Sequence, residues 1–127
     1  MAALEEMLLG LGARTAVLTD AEGALLVACR GAQTSDADVA ELQRLAATYA
    51  QSADHAGKLG LGKTQTATAF YEKGVVVHVG CSPLVLTVLS ASDANVGQVL
   101  DAAPQLRLAV EPLRVEADGV RTTGSVA

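Results

Sequence analysis

A change of hydrophobic period in the middle of the chain constrains its fold most. Residues 36–56, DADVAELQRLAATYAQSADHA, repeat apolar side chains every three or four positions, which predicts an amphipathic helix. After Gly62 the segment TQTATAFY alternates, and VVVHVG and LVLTVLSA follow as apolar runs. These segments predict three consecutive antiparallel strands near residues 63–72, 74–80 and 84–91. A long helix followed by three closely connected strands indicates a sheet covered by helices.

The two ends of the chain complete this pattern. Residues 3–11, ALEEMLLGL, predict a short helix, and two apolar runs around DAEG predict a hairpin with strands 14–20 and 24–30. A last helix is expected after Ser92 and Asp93, which can cap it, with Pro104 kinking or splitting it. The order α-ββ-α-βββ-α describes an α+β domain with a five-stranded antiparallel sheet and three helices.

From Val115 onward the sequence VEADGVRTTGSVA shows no periodicity. We therefore expect residues 1–114 to form one domain and residues 115–127 to form a disordered tail.

Charge and hydropathy limit the function classes. The formal net charge is −5, and no basic patch is visible in the sequence, as a general nucleic-acid binder would require. The apolar runs are shorter than the roughly 20 residues that a membrane helix needs. Glu5 and Glu6 stand where a secretory signal would carry positive charge. We expect a soluble, cytoplasmic chain that does not insert into a membrane itself and is held at one only through partners.

The stretch GKLGLGKT, from Gly57 to Thr64, fits the pattern of a phosphate-binding loop. Such a loop works because a buried strand precedes it and a helix follows, so that the helix N-terminus faces the phosphates. Here a predicted helix precedes the motif and a predicted strand follows. We therefore expect glycines that turn the chain sharply, and we keep nucleotide hydrolysis only as a rival that nucleotide-dependent melting would support. Lys58 and Lys63 are expected to be solvated or to meet a partner.

Other reactive side chains are scattered. His55 and His78 have no cysteine or carboxylate at a convincing ligand spacing, and Cys29 and Cys81 are far apart. No serine lies in a G-x-S-x-G setting. The sequence predicts no catalytic residue, no cofactor site and no metal site, and hence a protein that is not an enzyme.

Several short motifs, taken in their order and spacing, resemble those of the roadblock family, a longin-like group of small α/β dimers. Within it they are most similar to the MAP-kinase scaffold subunits of Ragulator-type complexes. The motifs are the corner Lys58–Leu61 with Lys63, the strand start Pro83–Val85, the helix entry Ser92–Gly97, and the hairpin turn at Asp20 and Gly23.

The resemblance implies a dimer that forms through the long helix and an edge strand, here residues 36–56 and 63–72. The composition agrees, because the helix is rich in alanine and TQTATAFY has neither proline nor charge. A bare strand of that kind would be an aggregation hazard, which a partner strand would relieve. The interface residues expected on this basis are Leu42, Leu45, Ala46, Tyr49, Ala50, Ala53, Thr64, Thr66, Thr68 and Phe70.

The resemblance also implies a function. We expect a non-catalytic scaffold that forms a heterodimer with another roadblock protein in a larger, Ragulator-like complex. Such a complex would hold Rag-type GTPases and MAP-kinase pathway proteins at the cytosolic face of late endosomes and lysosomes, in TOR and MAPK signalling. Two alternatives stay open: a dynein roadblock light chain or ciliary assembly subunit located at the cilium or axoneme, and a roadblock regulator of a small GTPase.

Overall fold

The computed structural model describes residues 2–31 and 34–126. The elements in chain order are α1 (Ala2–Gly10), β1 (Ala13–Thr19), β2 (Leu25–Arg30), α2 (Asp36–Gly57), β3 (Thr66–Tyr71), β4 (Gly74–Cys81), β5 (Leu84–Ser90), α3 (Val96–Asp101) and α4 (Ala103–Val126). The predicted α+β order is confirmed, with one difference. The last predicted helix is two helices, so that the described part of the chain has four.

All five strands join one antiparallel sheet in the order β2-β1-β5-β4-β3. The last strand, β5, inserts between β1 and β4, where Val88 pairs with Ala16 on one side and with Val77 on the other. The hairpin β1–β2 and the meander β3–β4–β5 therefore meet along β1 and β5. This arrangement leaves β2 and β3 as the two edges of the sheet.

Helices cover both faces of the sheet. The larger core lies on the face of α1, α3 and α4, where Leu4, Val99 and Leu106 pack against strand residues such as Leu86. On the opposite face α2 covers β1, β4 and β5 through Val39, Leu42, Ala46 and Tyr49. The central strands read as continuous apolar runs because both of their faces are buried.

Helix α2 begins and ends close to where the sequence predicts. The Ser35 hydroxyl accepts a hydrogen bond from the backbone N–H of Asp38, and the Asp38 carboxylate accepts one from the N–H of Ser35. This capping box satisfies backbone donors that a helix start leaves without partners. The helix continues to Gly57, one residue beyond the predicted end.

The predicted start of the last helix is corrected. Asn95, rather than Ser92 or Asp93, caps α3 by accepting a hydrogen bond from the Gln98 N–H at 3.2 Å. Ser92 and Asp93 lie in the turn before it. Pro104 splits the helix as predicted. It occupies the first turn of α4, where a backbone N–H would have no partner within the helix, so its lack of an N–H costs nothing.

Helix α4 also extends further than predicted. Its backbone is helical from Ala103 to Val126, and Pro112 lies inside it. The segment from Val115 to Val126 is therefore helical where the sequence predicts a disordered tail, and Ala127 lies outside the described residues. A domain limit near residue 114 stays a prediction.

Candidate functional site

The edge strand β3 is the first element of the candidate site. It pairs with β4 from Thr66 to Tyr71 and has no strand on its other side within the described chain. The strand starts at Thr66 rather than at the predicted residue 63, so Thr64 lies in the loop that leads into it. Its backbone therefore offers an unpaired row of N–H and C=O groups, to which another strand can add.

The side chains of β3 divide between the two faces of the sheet. Ala67 packs against the cluster beneath α2, whereas Thr66, Thr68 and Phe70 alternate with it and lie opposite Val79, Val77 and Val75. The two threonines are half-buried, while Phe70 is 73% exposed and Tyr71 is 51% exposed. The far end of the edge strand thus carries two aromatic side chains in solvent.

The predicted interface residues of α2 lie mostly beneath the helix. Leu42, Ala46 and Tyr49 are buried in the core of this chain, so they have almost no surface left for a partner. Leu45, Ala50 and Ala53 are half-buried and pack against the same clusters. The structure therefore does not bring these side chains onto one surface with Thr66, Thr68 and Phe70, which lie on the opposite face of the sheet.

The outward face of α2 offers a different set of side chains. They are small or polar and include Ala40, Glu41, Arg44, Thr48, Gln51 and Ser52, all exposed. Arg44 and Glu41 form an ion pair one turn apart. A partner that lies along α2 would meet this face, which the apolar pattern alone does not reveal.

The GKLGLGKT loop connects α2 to β3 and is held in a defined conformation. Helix α2 ends at Gly57 before the loop, and β3 follows it, which is the reverse of a phosphate-binding loop, as predicted. Gly60 and Gly62 have φ angles of 78° and 84°, values that favour glycine. Leu59 and Leu61 project from this loop and are 75% and 78% exposed.

A set of hydrogen bonds fastens the end of this loop to the sheet. The Tyr49 hydroxyl donates to the Thr64 carbonyl at 3.2 Å, and the Gly80 N–H donates to the Gln65 carbonyl at 2.9 Å. Arg107 of α4 donates to the carbonyls of Gly80 and Gln65, at 3.0 and 2.8 Å. We call these contacts the Arg107 clamp.

The sequence does not predict the Arg107 clamp. A Cβ atom at Gly80 would lie 2.9 Å from the Tyr49 hydroxyl and 3.0 Å from the Thr64 carbonyl, so only glycine fits there without displacement. An isolated glycine in an apolar strand signals close backbone approach, and Gly80 in VVVHVGC carries that signal. Nothing in the sequence marks Arg107 as its partner.

The histidines and cysteines occupy separate environments. His78 stacks on Tyr49 with ring centroids 5.0 Å apart, and its Nδ1 lies 2.9 Å from the Thr87 hydroxyl. Burial raises the pKa of the Cys81 thiol to about 11, which keeps it protonated and unreactive.

Among the residues that the structure describes, no group of three or more metal-ligating side chains occurs. No described helix is long and apolar enough to cross a bilayer.

The fold is that of roadblock domains. A crystal structure of a Roadblock/LC7 domain from Streptomyces avermitilis superimposes with a TM-score of 0.69 at 15% identity, covering 91% of this chain and 98% of that one. The resemblance to the roadblock family at the level of fold is therefore confirmed.

Sequence comparisons narrow the family. The Ragulator complex protein LAMTOR3 homolog of Drosophila melanogaster is 34% identical over 83 residues, covering 65% of this chain and 65% of that protein. Ragulator complex protein LAMTOR3 of Danio rerio is 28% identical over 103 residues, covering 81% of this chain and 82% of the zebrafish protein. The match thus spans less than two thirds of the fly protein. Residues 3–117 match the family described as mitogen-activated protein kinase kinase 1 interacting, and the chain belongs to that family.

Proposed function

We propose that this protein is a non-catalytic scaffold subunit that pairs with a second roadblock protein inside a Ragulator-like complex. The observation that carries the proposal is the match of residues 3–117 to a family defined by interaction with a MAP-kinase kinase. Curated relatives named as Ragulator complex proteins support the same reading.

The pairing is proposed to use the edge of β3 together with the outward face of α2. Strand addition at β3 would satisfy its unpaired backbone groups and would cover Phe70 and Tyr71. The small side chains along α2, such as Ala40 and Thr48, would let a second helix approach closely. Of the residues expected at the interface, Thr66, Thr68 and Phe70 keep that role in the proposal. Leu42, Ala46 and Tyr49 instead anchor α2 on the sheet.

The cellular role is proposed by extension from the relatives. The complex would hold Rag-type GTPases and MAP-kinase pathway proteins at the cytosolic face of late endosomes or lysosomes. The protein would act there through partners.

Affinity purification of the tagged full-length chain from its own cells, followed by mass spectrometry, tests the proposal. The expected result is recovery of another roadblock-domain protein together with further late-endosomal adaptor subunits and Rag-type GTPases. A matched purification of the Thr68→Lys variant controls for proteins that bind non-specifically, because this variant should lose the roadblock partner.

Recovery of dynein chains or axonemal proteins would move the function to the motor or the cilium. Recovery of the protein without any roadblock partner would contradict the proposed pairing.

A further inference from the structure

A large open cleft lies beside the Arg107 clamp and has no part in the proposed pairing through β3. It measures about 980 Å³ and lies between the C-terminal end of α2, the GKLGLGKT loop and the turn that joins β4 to β5. Its apolar wall includes Ala50, Ala53 and Pro83. A cleft of this size falls within the range of volumes found for ligand-binding sites.

Cationic side chains surround this cleft. Lys58 and Lys63 belong to the loop, and Arg107 lies across from them on α4. Asp54 is the one carboxylate among the lining residues. The cleft therefore carries a local excess of positive charge on a chain whose formal net charge is −5.

These three cations lack anionic partners within the described part of the chain. The ion pairs found there are made by Arg30, Arg44 and Arg114. Arg107 donates to the backbone carbonyls of Gly80 and Gln65, which orient its guanidinium without neutralising it. Charges left uncompensated around a cleft favour an occupant that is negative.

The backbone around the cleft argues against a compact phosphate. The C-terminal end of α2 faces the cleft, and a helix C-terminus carries partial negative charge. Three amides at the start of the loop are already engaged, because those of Lys58, Leu59 and Gly60 donate to the carbonyls of His55, Ala56 and Gly57. Carboxylates spaced along a peptide could each meet one of the separated cations. The peptide would then not concentrate its negative charge at the negative end of α2.

We propose that the cleft binds an acidic peptide segment of a partner protein that also bears aliphatic side chains. Its carboxylates would meet Lys58, Lys63 and Arg107, and its aliphatic groups would pack on the wall of the cleft. The exposed Leu59 and Leu61 would extend the apolar contact beyond the cleft. None of the residues proposed for pairing, such as Thr66, Thr68 and Thr48, lines the cleft, so a peptide can occupy it alongside a roadblock partner.

An unbiased peptide selection tests this proposal. A phage-displayed library of random peptides is selected against the full-length chain, and one enriched peptide is synthesised and titrated by fluorescence anisotropy. The enriched peptides should be rich in Asp or Glu and in Leu, Ile or Val. Raising the salt concentration should weaken binding, because the rim charges are exposed to solvent.

Matched charge reversals assign the binding to the cleft. Lys63→Glu should lower the affinity for the peptide at least about fivefold, because it replaces attraction by repulsion. Lys58→Glu should have the same effect. Lys73→Glu makes the same charge change in the exposed β3–β4 turn and should alter affinity less than about twofold. None of these variants should change whether the chain pairs with a roadblock partner, so the two proposals fail separately.

Three results would overturn the inference. The first is a selection that enriches no acidic peptide, and the second is an equal loss of affinity in Lys73→Glu. The third is a chain that binds no acidic peptide but does bind inorganic pyrophosphate or phosphatidylserine vesicles, with binding lost in Lys63→Glu. That result would assign the cleft to phosphate groups.

Discussion

At the scale of single residues, His78 is held neutral by its surroundings. Its side chain is buried within the α2 face of the sheet, with 7% of the residue exposed, between Tyr49 and Thr87. Burial lowers the pKa of His78 from 6.5 to about 4, because the charged imidazolium loses its hydration. The folded chain therefore resists protonation of this ring across a range where the unfolded chain accepts a proton.

The pH dependence of stability follows from this difference. Well above pH 6.5 the ring is neutral in both states and contributes no pH dependence. As the pH falls from 6.5 to about 4, only the unfolded chain binds the proton, so the free energy of unfolding should fall by on the order of 3 kcal/mol. Urea titrations at several pH values should show a steeper loss than in His78→Gln, which keeps a hydrogen-bonding group. Equal slopes in the two proteins would contradict the assignment.

Gly23 shows how a single turn residue joins the hairpin to α2. It has a φ angle of 88°, and its carbonyl accepts a hydrogen bond from the Gln43 side chain at 3.0 Å. A Cβ atom there would lie 2.8 Å from the Gln43 carbonyl, whereas one at Gly60, with a φ angle of 78°, would meet nothing within 4 Å.

The two glycines therefore separate backbone strain from close contact. Gly60→Ala should cost about 1 kcal/mol, which is the strain alone, while Gly23→Ala should cost more than about 2 kcal/mol. Chemical denaturation of both variants measures the difference. If the two losses are equal, the contact with α2 contributes nothing.

At the scale of elements, α2 depends on its capping box. Ser35→Ala removes the hydroxyl that receives the Asp38 N–H and should lower the free energy of unfolding by about 1 kcal/mol. Ser52→Ala is the control, because Ser52 is exposed inside the helix, where alanine is the better helix former. Thermal denaturation should show a loss for Ser35→Ala alone, and a comparable loss for both would point to a general effect of the substitution.

Helix α4 supports the sheet through its first part. Ala103, Leu106 and Val110 are buried against the core, and Leu113 packs at its margin. A chain cut after Leu113 keeps all of these contacts, so we expect its melting temperature to fall by less than about 3 °C, with pairing retained. A chain cut after Ala109 loses Val110 and Leu113 and should fall much further. A large fall for the first truncation would show that residues beyond Leu113 pack.

At the scale of the whole molecule, the sheet has two unlike edges. The strand β2 ends in Arg30, which forms an ion pair with Asp36, whereas β3 runs from Thr66 to Tyr71 without a charge. Charged side chains on an edge discourage strand addition, and an uncharged edge permits it. The proposed pairing accordingly uses β3.

Charging the β3 edge tests this asymmetry. Thr68→Lys should weaken association with the roadblock partner about tenfold or more, while the monomer should unfold at nearly the wild-type denaturant concentration. Gln105→Lys adds the same charge at an exposed position of α4 and should leave association unchanged. Analytical ultracentrifugation of the co-expressed pair measures both variants. Unchanged association in Thr68→Lys would place the interface elsewhere.

Periodicity identifies all five strands and the helices α1 and α2, but not the division of the last helix or its extension beyond Leu113. The alternation and apolar runs of the strands and the three-to-four spacing in α2 depend on residues close together in sequence, and local geometry decides them. The same local context excluded the phosphate-loop reading of GKLGLGKT, because a helix before it and a strand after it were already visible. The cap of α3 was assigned wrongly, because Ser92, Asp93 and Asn95 are all good caps and lie within four residues.

The tertiary structure decided everything that depends on distant residues meeting. Sequence pattern placed Leu42, Ala46 and Tyr49 on an apolar stripe, but only packing against the sheet shows that the chain buries that stripe itself. Likewise, the alternation of side chains does not reveal the strand order, because β1 and β5 are far apart in sequence and pair only in the folded chain. The contact of Arg107 with Gly80 and Gln65 joins α4, β4 and the loop before β3, and it exists because the fold brings those backbones within hydrogen-bonding distance.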